Sequence, residues 1–181
     1  MRAIAKPSSI SGWIKFKDNT FITPNTIFVT HKQAFGLSTD DQMLLTRTET
    51  DQLGYTHFRY QQQYKGIKVE GAEYIEHAKG GFTVKANGKI VQGLNLIVTP
   101  SITDNDAINF ALSFVNAAIY MWEDSAEEKL LKDLKNDTAA TYFPVSELII
   151  TRISDTLDFI SNNFLLAYKV DIFSKIPFDG N

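Results

Sequence analysis

The chain has 181 residues, a formal net charge of −3 and no cysteine. The missing cysteine excludes disulfides, thiol nucleophiles and cysteine-ligated zinc. Positive and negative charges are mixed along the sequence, so no basic stripe is present and we expect no nucleic-acid partner. The longest apolar stretches fall short of the roughly 20 residues that a membrane span needs, so we expect no span. The length allows one large domain or two of roughly 80–100 residues each.

The first predicted element is a helix over residues 23–36. Thr23 is a suitable N-cap, Pro24 suits the first helical position and Gly36 suits the stop. The residues of its mostly apolar stripe recur at helical spacing, and they are Ile27, Phe28, His31, Ala34 and Phe35. A helix with such a stripe must pack on another layer.

Strand patterns follow this helix. Residues 43–51 form one extended segment, residues 51–54 form a turn, and residues 56–64 alternate between an aromatic and a polar face. The polar face carries His57, Arg59, Gln61 and Gln63, while Gln62 interrupts the aromatic face. Gly80-Gly81 and Asn87-Gly88 predict hairpin turns, the second leading into a strand over residues 89–98. A helix followed by antiparallel strands indicates an α+β unit.

The same order repeats after Pro100. Thr103 and Asp106 are spaced like a capping pair before a second helix. Residues 125–135 predict a short exposed helix with Glu128 and Lys132 at i,i+4 spacing, and strands are predicted over 147–153 and 164–173. We therefore place a domain boundary near residues 99–101.

A catalytic constellation is missing from the sequence. The three histidines, His31, His57 and His77, do not form an H-E-x-x-H zinc motif, and no G-x-S-x-G serine motif is present. The three could still meet in space, but a helix stripe for His31 and a polar strand face for His57 explain them better. The carboxylate pairs Glu70/Glu73 and Asp104/Asp106 lie near turns and helix starts, where solvated carboxylates are common. We therefore expect no enzymatic activity.

Residues 51–71 carry a long ordered motif, DQLGYTHFRYQQQYKGIKVEG. It closely resembles the fungalysin/thermolysin propeptide signature, which has an Asp and a Gly in a turn, then His-aromatic-Arg-aromatic-x-Gln, Tyr-x-Gly-x-x-Val and a final Gly. The matching positions are Asp51, Gly54, His57, Phe58, Arg59, Tyr60, Gln62, Tyr64, Gly66, Val69 and Gly71. The following GAEYIEHAKGG and ANGKIV resemble the next hairpin of the family.

The second half resembles the PepSY-type domain that follows in such precursors. The similar stretches are SITDNDAINFALSFV, YMWED, YFPVSELIITR and LAYKVDIFSKIPF. The resemblance implies a propeptide domain over residues 1–99 and a PepSY-like domain over residues 100–181. It also implies two cystatin-like units, each a helix packed on an antiparallel β-sheet.

The resemblance implies that the chain is the pro-region of a secreted thermolysin-like zinc metallopeptidase precursor. Its partner is then the cognate peptidase domain, which it helps to fold and inhibits, and zinc is expected only in that domain, with no cofactor in this chain. The first residues lack the apolar region of a signal peptide, so we expect the precursor to carry one upstream for its secreted or periplasmic location. A free-standing secreted or cell-envelope binding module, or a peptidase inhibitor of the same fold, is the alternative.

Contact with the peptidase is predicted for two places in the sequence. Arg59, Gln61 and Gln63 share a polar strand face that either meets the peptidase or is solvated. For Arg59 and Gln62, the family match fits contact or internal hydrogen bonding equally well. Ile176 and Phe178 lie in the C-terminal run that would lead towards the peptidase.

Overall fold

A computed structural model describes residues 4–6, 12–18, 20–154 and 163–177 of the chain. Within these ranges the helices are α1 (Ile27–Thr30), α2 (Asp104–Val115) and α3 (Ser125–Lys135). The strands are β1 (Ala5–Lys6), β2 (Trp13–Phe16), β3 (Asp41–Thr50), β4 (Thr56–Tyr64), β5 (Ile67–Lys79), β6 (Phe82–Gly88), β7 (Ile119–Tyr120), β8 (Ser146–Arg152), β9 (Phe164–Val170) and β10 (Ser174–Ile176). The predicted α+β class is confirmed.

The chain divides into two compact units. The first comprises Met1–Val98 and Ile149–Leu166, and the second comprises Thr99–Leu148 and Ala167–Asn181. The assignment of residues 100–181 to a PepSY-like domain, and the cystatin-like architecture of both halves, stay predictions.

The first unit is built on a sheet with the strand order β1-β2-β6-β5-β4-β3. Every neighbouring pair in this order is antiparallel. β8 runs parallel to β5, with Lys68 opposite Ile149 and Val69 opposite Ile150. The expectation of a purely antiparallel sheet is therefore wrong at this pair, because the strand that joins β5 arrives from far along the chain and not through a hairpin.

The core of the first unit is aromatic. Phe28 of α1 lies 5.0 Å from the Tyr60 ring and 5.6 Å from the Tyr74 ring, each with edge-to-face geometry. Ile27 and Phe35 are buried in the same cluster. Edge-to-face pairs of this kind add about 0.5–1.5 kcal/mol each beyond the area that they bury.

The predicted helix over residues 23–36 is shorter than expected. α1 spans four residues, and a 3-10 turn over Lys32–Phe35 follows it and ends at Gly36, whose φ is +68°. Thr26, not Thr23, is the N-cap, and its side chain makes no capping bond. Four of the five residues from Thr26 to Thr30 are β-branched, which lowers helix propensity, so only the turns that bury apolar side chains form.

The predicted hairpin at Asn87-Gly88 and the strand over residues 89–98 are wrong, whereas the turn at Gly80-Gly81 is confirmed between β5 and β6. A Cβ on Gly88, whose φ is +146°, would lie 2.3 Å from the backbone oxygen of Glu73. This glycine therefore serves a close approach of two backbones and not a turn. Lys89 N donates to the Glu73 carbonyl at 2.8 Å, and the chain then leaves the sheet.

The second unit carries the two predicted longer helices. α2 begins with a capping box between Thr103 and Asp106, as predicted. α3 has the predicted bounds, and its Glu128 and Lys132 side chains lie 3.7 Å apart. β7 pairs with β10 in a two-stranded antiparallel sheet. The Tyr120 and Trp122 rings stack with their centroids 4.3 Å apart.

Candidate functional site

The polar residues of the sequence motif lie along β4. In the structure some of them are exposed at the surface and others are buried. Arg59 lies opposite Arg47 and Ile75 on the two neighbouring strands. Its Nη2 donates to Glu49 Oε1 at 3.3 Å, and its side chain is 40% exposed. The Arg59 Nε is buried without a hydrogen-bond partner among the residues that the structure describes. Arg59 thus combines an accessible guanidinium with an unused donor.

Gln61 is buried, although its strand face was expected to be accessible, either to the peptidase or to solvent. Its Nε2 donates to the carbonyls of Val69 at 2.7 Å and Ala72 at 3.1 Å, on either side of Gly71, and to that of Gln62 at 3.0 Å. The register between β4 and β5 shifts at this point, between Gln61 and Gln63. The side chain therefore satisfies carbonyls that the β-bulge frees from the ladder.

Gln62 is fully buried, and its hydrogen bonds are all internal. The Nε2 donates to Asp41 Oδ1 and to the Val91 carbonyl, each at 2.8 Å, while Oε1 accepts from the Val91 N at 2.9 Å. Asp41 Oδ2 accepts from the backbone N and the hydroxyl of Ser38. Of the two explanations for Gln62 in the motif, internal hydrogen bonding is the one that its environment supports.

The remaining predicted contact residues are more accessible. Gln63 is half-buried on β4, and Ile176 is 49% exposed on β10. Lys175, beside Ile176, is held by Asp124 and by Glu127 at 3.3 Å, which fixes this segment against the start of α3. Phe178 lies outside the described residues. A contact role stays a prediction for all six residues, although Gln61 and Gln62 make internal hydrogen bonds and are buried.

Two of the three histidines meet, which the sequence pattern did not indicate. His57 and His77 are cross-strand neighbours with Nδ1 atoms 2.6 Å apart. His57 Nε2 lies 3.1 Å from Asp51 Oδ2, and His77 Nε2 lies 2.6 Å from Asn87 Oδ1. Only one proton fits between the two Nδ1 atoms, so both rings cannot be fully protonated while this contact holds. His31 ends α1 and takes no part in the pair.

The pKa of His77 is lowered, chiefly by burial. The nearby charges of His57, Lys85 and Arg59 lower it further, and the hydrogen bond to Asn87 opposes them. The ring of Trp13 stacks on His77 at 5.3 Å between centroids. The described residues contain no group of three or more His, Asp or Glu side chains that could hold a metal ion. The pair is therefore a hydrogen-bonded contact between β4 and β5, with His77 as its more buried member.

A buried carboxylate lies on the other face of the sheet. Glu76 Oε2 accepts from the Thr83 hydroxyl at 3.1 Å and from the Asn25 N at 3.4 Å. Its Oε1 has no hydrogen-bond partner in the described part of the chain. Burial raises the pKa of Glu76, and burial beside this carboxyl raises the pKa of Tyr74 to about 12. Glu76 is thus a group whose protonation is linked to folding.

Comparison with known proteins identifies the segment that holds most of these residues. Residues 41–90 match the family described as the Fungalysin/Thermolysin Propeptide Motif. Thermolysins of Alicyclobacillus acidocaldarius subsp. acidocaldarius and of Bacillus caldolyticus are each 30% identical over 91 residues, which are 49% of this chain and 17% of the relative. The chain thus spans less than a fifth of the length of these relatives. No helix in the described ranges is long and apolar enough to cross a membrane. The chain therefore contains the propeptide motif of thermolysin-like peptidases, as its sequence resemblance predicts.

Proposed function

We propose that this chain is the pro-region of a secreted thermolysin-like zinc metallopeptidase precursor, in which it assists folding of the peptidase domain and inhibits it. The match of residues 41–90 to the propeptide motif is the observation that carries the proposal. The partial similarity to two thermolysins supports it. Zinc would belong to the peptidase domain, and no cofactor is proposed for this chain.

The physical basis of such a role is preferential binding. A large extracellular protease can fold slowly through aggregation-prone intermediates. A pro-region that binds the native-like peptidase stabilises it by mass action, and a covalent tether raises the effective concentration of the pro-region. The same contact inhibits the enzyme when it covers the cleft, and cleavage of the pro-region then releases activity.

The internal hydrogen bonds of the motif fit a binding surface that is already ordered before the peptidase domain binds. The matched residues build β3 to β6, and Gln61 and Gln62 satisfy the backbone groups at the bulge and at Val91. Because these side chains are fixed by internal bonds, little ordering cost remains for binding. Arg59 and Gln63 are the predicted contact residues that remain reachable on this sheet, and Ile176 is exposed in the described part of the C-terminal run.

Inhibition in solution tests the proposal. The purified chain is titrated against the peptidase domain of its own precursor, with thermolysin as a second enzyme, while the hydrolysis of a small peptide is followed. We expect saturable inhibition of the cognate domain that precedes any digestion of the chain. If the cognate domain is unaffected at micromolar chain concentrations, the inhibitor role is excluded. If the gene encodes no linked peptidase at all, the alternative of a free-standing binding module replaces the pro-region.

A further inference from the structure

One row of residues across the sheet of the first unit is basic over four consecutive strands. Lys15 of β2 lies opposite Lys85 of β6, which lies opposite His77 of β5, which lies opposite His57 of β4. Side chains at directly opposed positions point to the same face and lie about 5 Å apart at Cβ. These four residues, which we call the basic row, therefore form one continuous band.

The basic row carries a cost to the fold. Like charges at directly opposed positions destabilise a sheet, and Lys15 with Lys85 is such a pair. Arg47 opposite Arg59, on the same face, is a second. The overall charge of the chain is −3, so the band does not reflect a generally basic protein. The surrounding sequence favours folding, whereas this feature opposes it. Such a local conflict is expected where residues serve a function.

Two carboxylates, Glu49 and Asp51, lie at the opposite end of this face, on β3 and directly after it. Glu49 pairs with Arg47 at 2.6 Å and with Arg59 at 3.3 Å, and Asp51 contacts His57. Neither Lys15 nor Lys85 makes a salt bridge to any residue within the described ranges. Asp18 acts on Lys15 through its charge only, because its salt bridge is with Lys6, so within the described residues Lys15 and Lys85 have no salt-bridge partner of their own.

Two aromatic rings hold the lysine heads beside the row. Lys85 Nζ lies 5.5 Å from the centroid of Trp13 and 5.1 Å from that of Tyr55, and Lys79 Nζ lies 4.6 Å from Tyr55. Such contacts restrain the long side chains without neutralising them. Lys15 and Lys79 are exposed, and Lys85 is half-buried. Lys79 and Lys85 are thus restrained, and together with the exposed Lys15 they form a solvent-accessible cationic patch.

We propose that this lysine patch, formed by Lys15, Lys79 and Lys85, docks on a carboxylate-rich surface of the peptidase domain. The inference rests on the proposed function and adds the surface and its chemistry. Opposite charges across an interface speed up encounter and fix the register of the partners. Three lysines on one face, in an acidic chain, suit a local acidic protein surface better than a long phosphate backbone.

The test compares the inhibition constants of two double variants at two ionic strengths. Lys15→Gln/Lys85→Gln removes the unpaired charges, and Lys129→Gln/Lys135→Gln removes two exposed lysines of α3 as the matched control. At an ionic strength of about 0.01 M, where the Debye length is about 30 Å, we expect the inhibition constant of the patch variant to rise about tenfold. At about 1 M salt, where the length is about 3 Å, we expect the difference from the wild type to vanish. The unfolding midpoint of the patch variant should not fall, which separates lost docking from lost folding.

Three results would overturn the inference in distinguishable ways. If the wild type inhibits and the patch variant inhibits equally well at low salt, the patch does not dock, while the pro-region role stands. An equal loss in the control variant would also contradict the patch, because it would reflect net charge alone. If the wild type neither inhibits nor binds the peptidase domain, the proposed function fails and the docking surface fails with it.

Discussion

The polar residues differ between the two faces of the sheet in the first unit. On the covered face, which carries Tyr60, Tyr74 and Glu76, polar atoms are buried beside α1, and Glu76 Oε2 bonds within the chain while its Oε1 has no hydrogen-bond partner in the described residues. On the open face, which carries Lys15, Lys85 and Arg59, charges lie side by side with few partners. The aromatic packing of the covered face favours folding, whereas the opposed like charges of the open face oppose it. One motif therefore contains residues kept for folding and residues available for binding.

The largest expected loss of stability follows from substitution of Gln62, in the interior of the motif. Gln62→Ala leaves Asp41 Oδ1 and the N and carbonyl of Val91 without partners inside the protein. We expect the free energy of unfolding to fall by about 3 kcal/mol in urea titrations. Gln63→Ala, at the half-buried neighbour, is the control and should change it by less than about 0.5 kcal/mol. Equal small effects at both positions would refute the assignment of Gln62 to the interior.

Glu76 gives the covered face a pH dependence. Burial raises its pKa above the usual 4.5, so the folded chain binds this proton more tightly than the unfolded chain. The resulting stability is complete below about pH 4.5 and is lost as the pH rises through the raised pKa. Glu76→Gln, which keeps an acceptor for Thr83, should remove this loss. Thermal melts of both proteins from acid to alkaline pH check the prediction, and parallel curves would contradict it.

His77 gives the opposite dependence on the other face. Burial lowers its pKa below the usual 6.5, so the unfolded chain binds this proton more tightly. The stability from the neutral ring is complete above about pH 6.5 and is lost as the pH falls through the lowered pKa. In an NMR titration we expect the His77 ring to titrate below 6.5 while the fold persists. His77→Gln should flatten the acid side of the stability profile. Titration of His77 at or above 6.5 would refute a buried neutral ring.

The smallest expected effect concerns Lys15 on the open face. Lys15→Gln removes one of two like charges at opposed positions, so the free energy of unfolding should stay unchanged or rise by a few tenths of a kcal/mol. Chemical denaturation at low salt measures this difference most sensitively. A loss above about 1 kcal/mol would show that Lys15 stabilises the fold, contrary to the contrast between the faces.

Local patterns predicted part of this structure. The alternation in residues 56–64 and the charges of residues 125–135 gave β4 and α3 with their observed bounds, because each pattern depends on near neighbours. The hairpin predicted at Asn87-Gly88 was wrong. In sequence alone, a glycine that allows the close backbone approach to Glu73 cannot be distinguished from a glycine in a turn. The parallel pairing of β8 with β5 depends on residues some 80 positions apart, which no local pattern encodes.

The candidate site followed the same division. Sequence alternation identified the polar face of β4, but the bulge that draws Gln61 inside depends on the register with β5. The contact between His57 and His77 exists only once β4 and β5 are paired, and the basic row that contains them only once four strands are aligned. Opposed lysines separated by 70 positions leave no signal in a single strand.

Refolding of the peptidase domain in the presence of this chain tests the pro-region role most directly. The denatured domain of the cognate precursor is diluted into buffer with the wild-type chain, with the Gln62→Ala variant or with neither, and recovered activity is measured after the chain has been digested. We expect a higher yield and rate of recovery with the wild type, saturating near equimolar chain, and a smaller effect with the destabilised variant. The same recovery with and without the chain, together with unchanged activity of the native enzyme, would contradict the pro-region role.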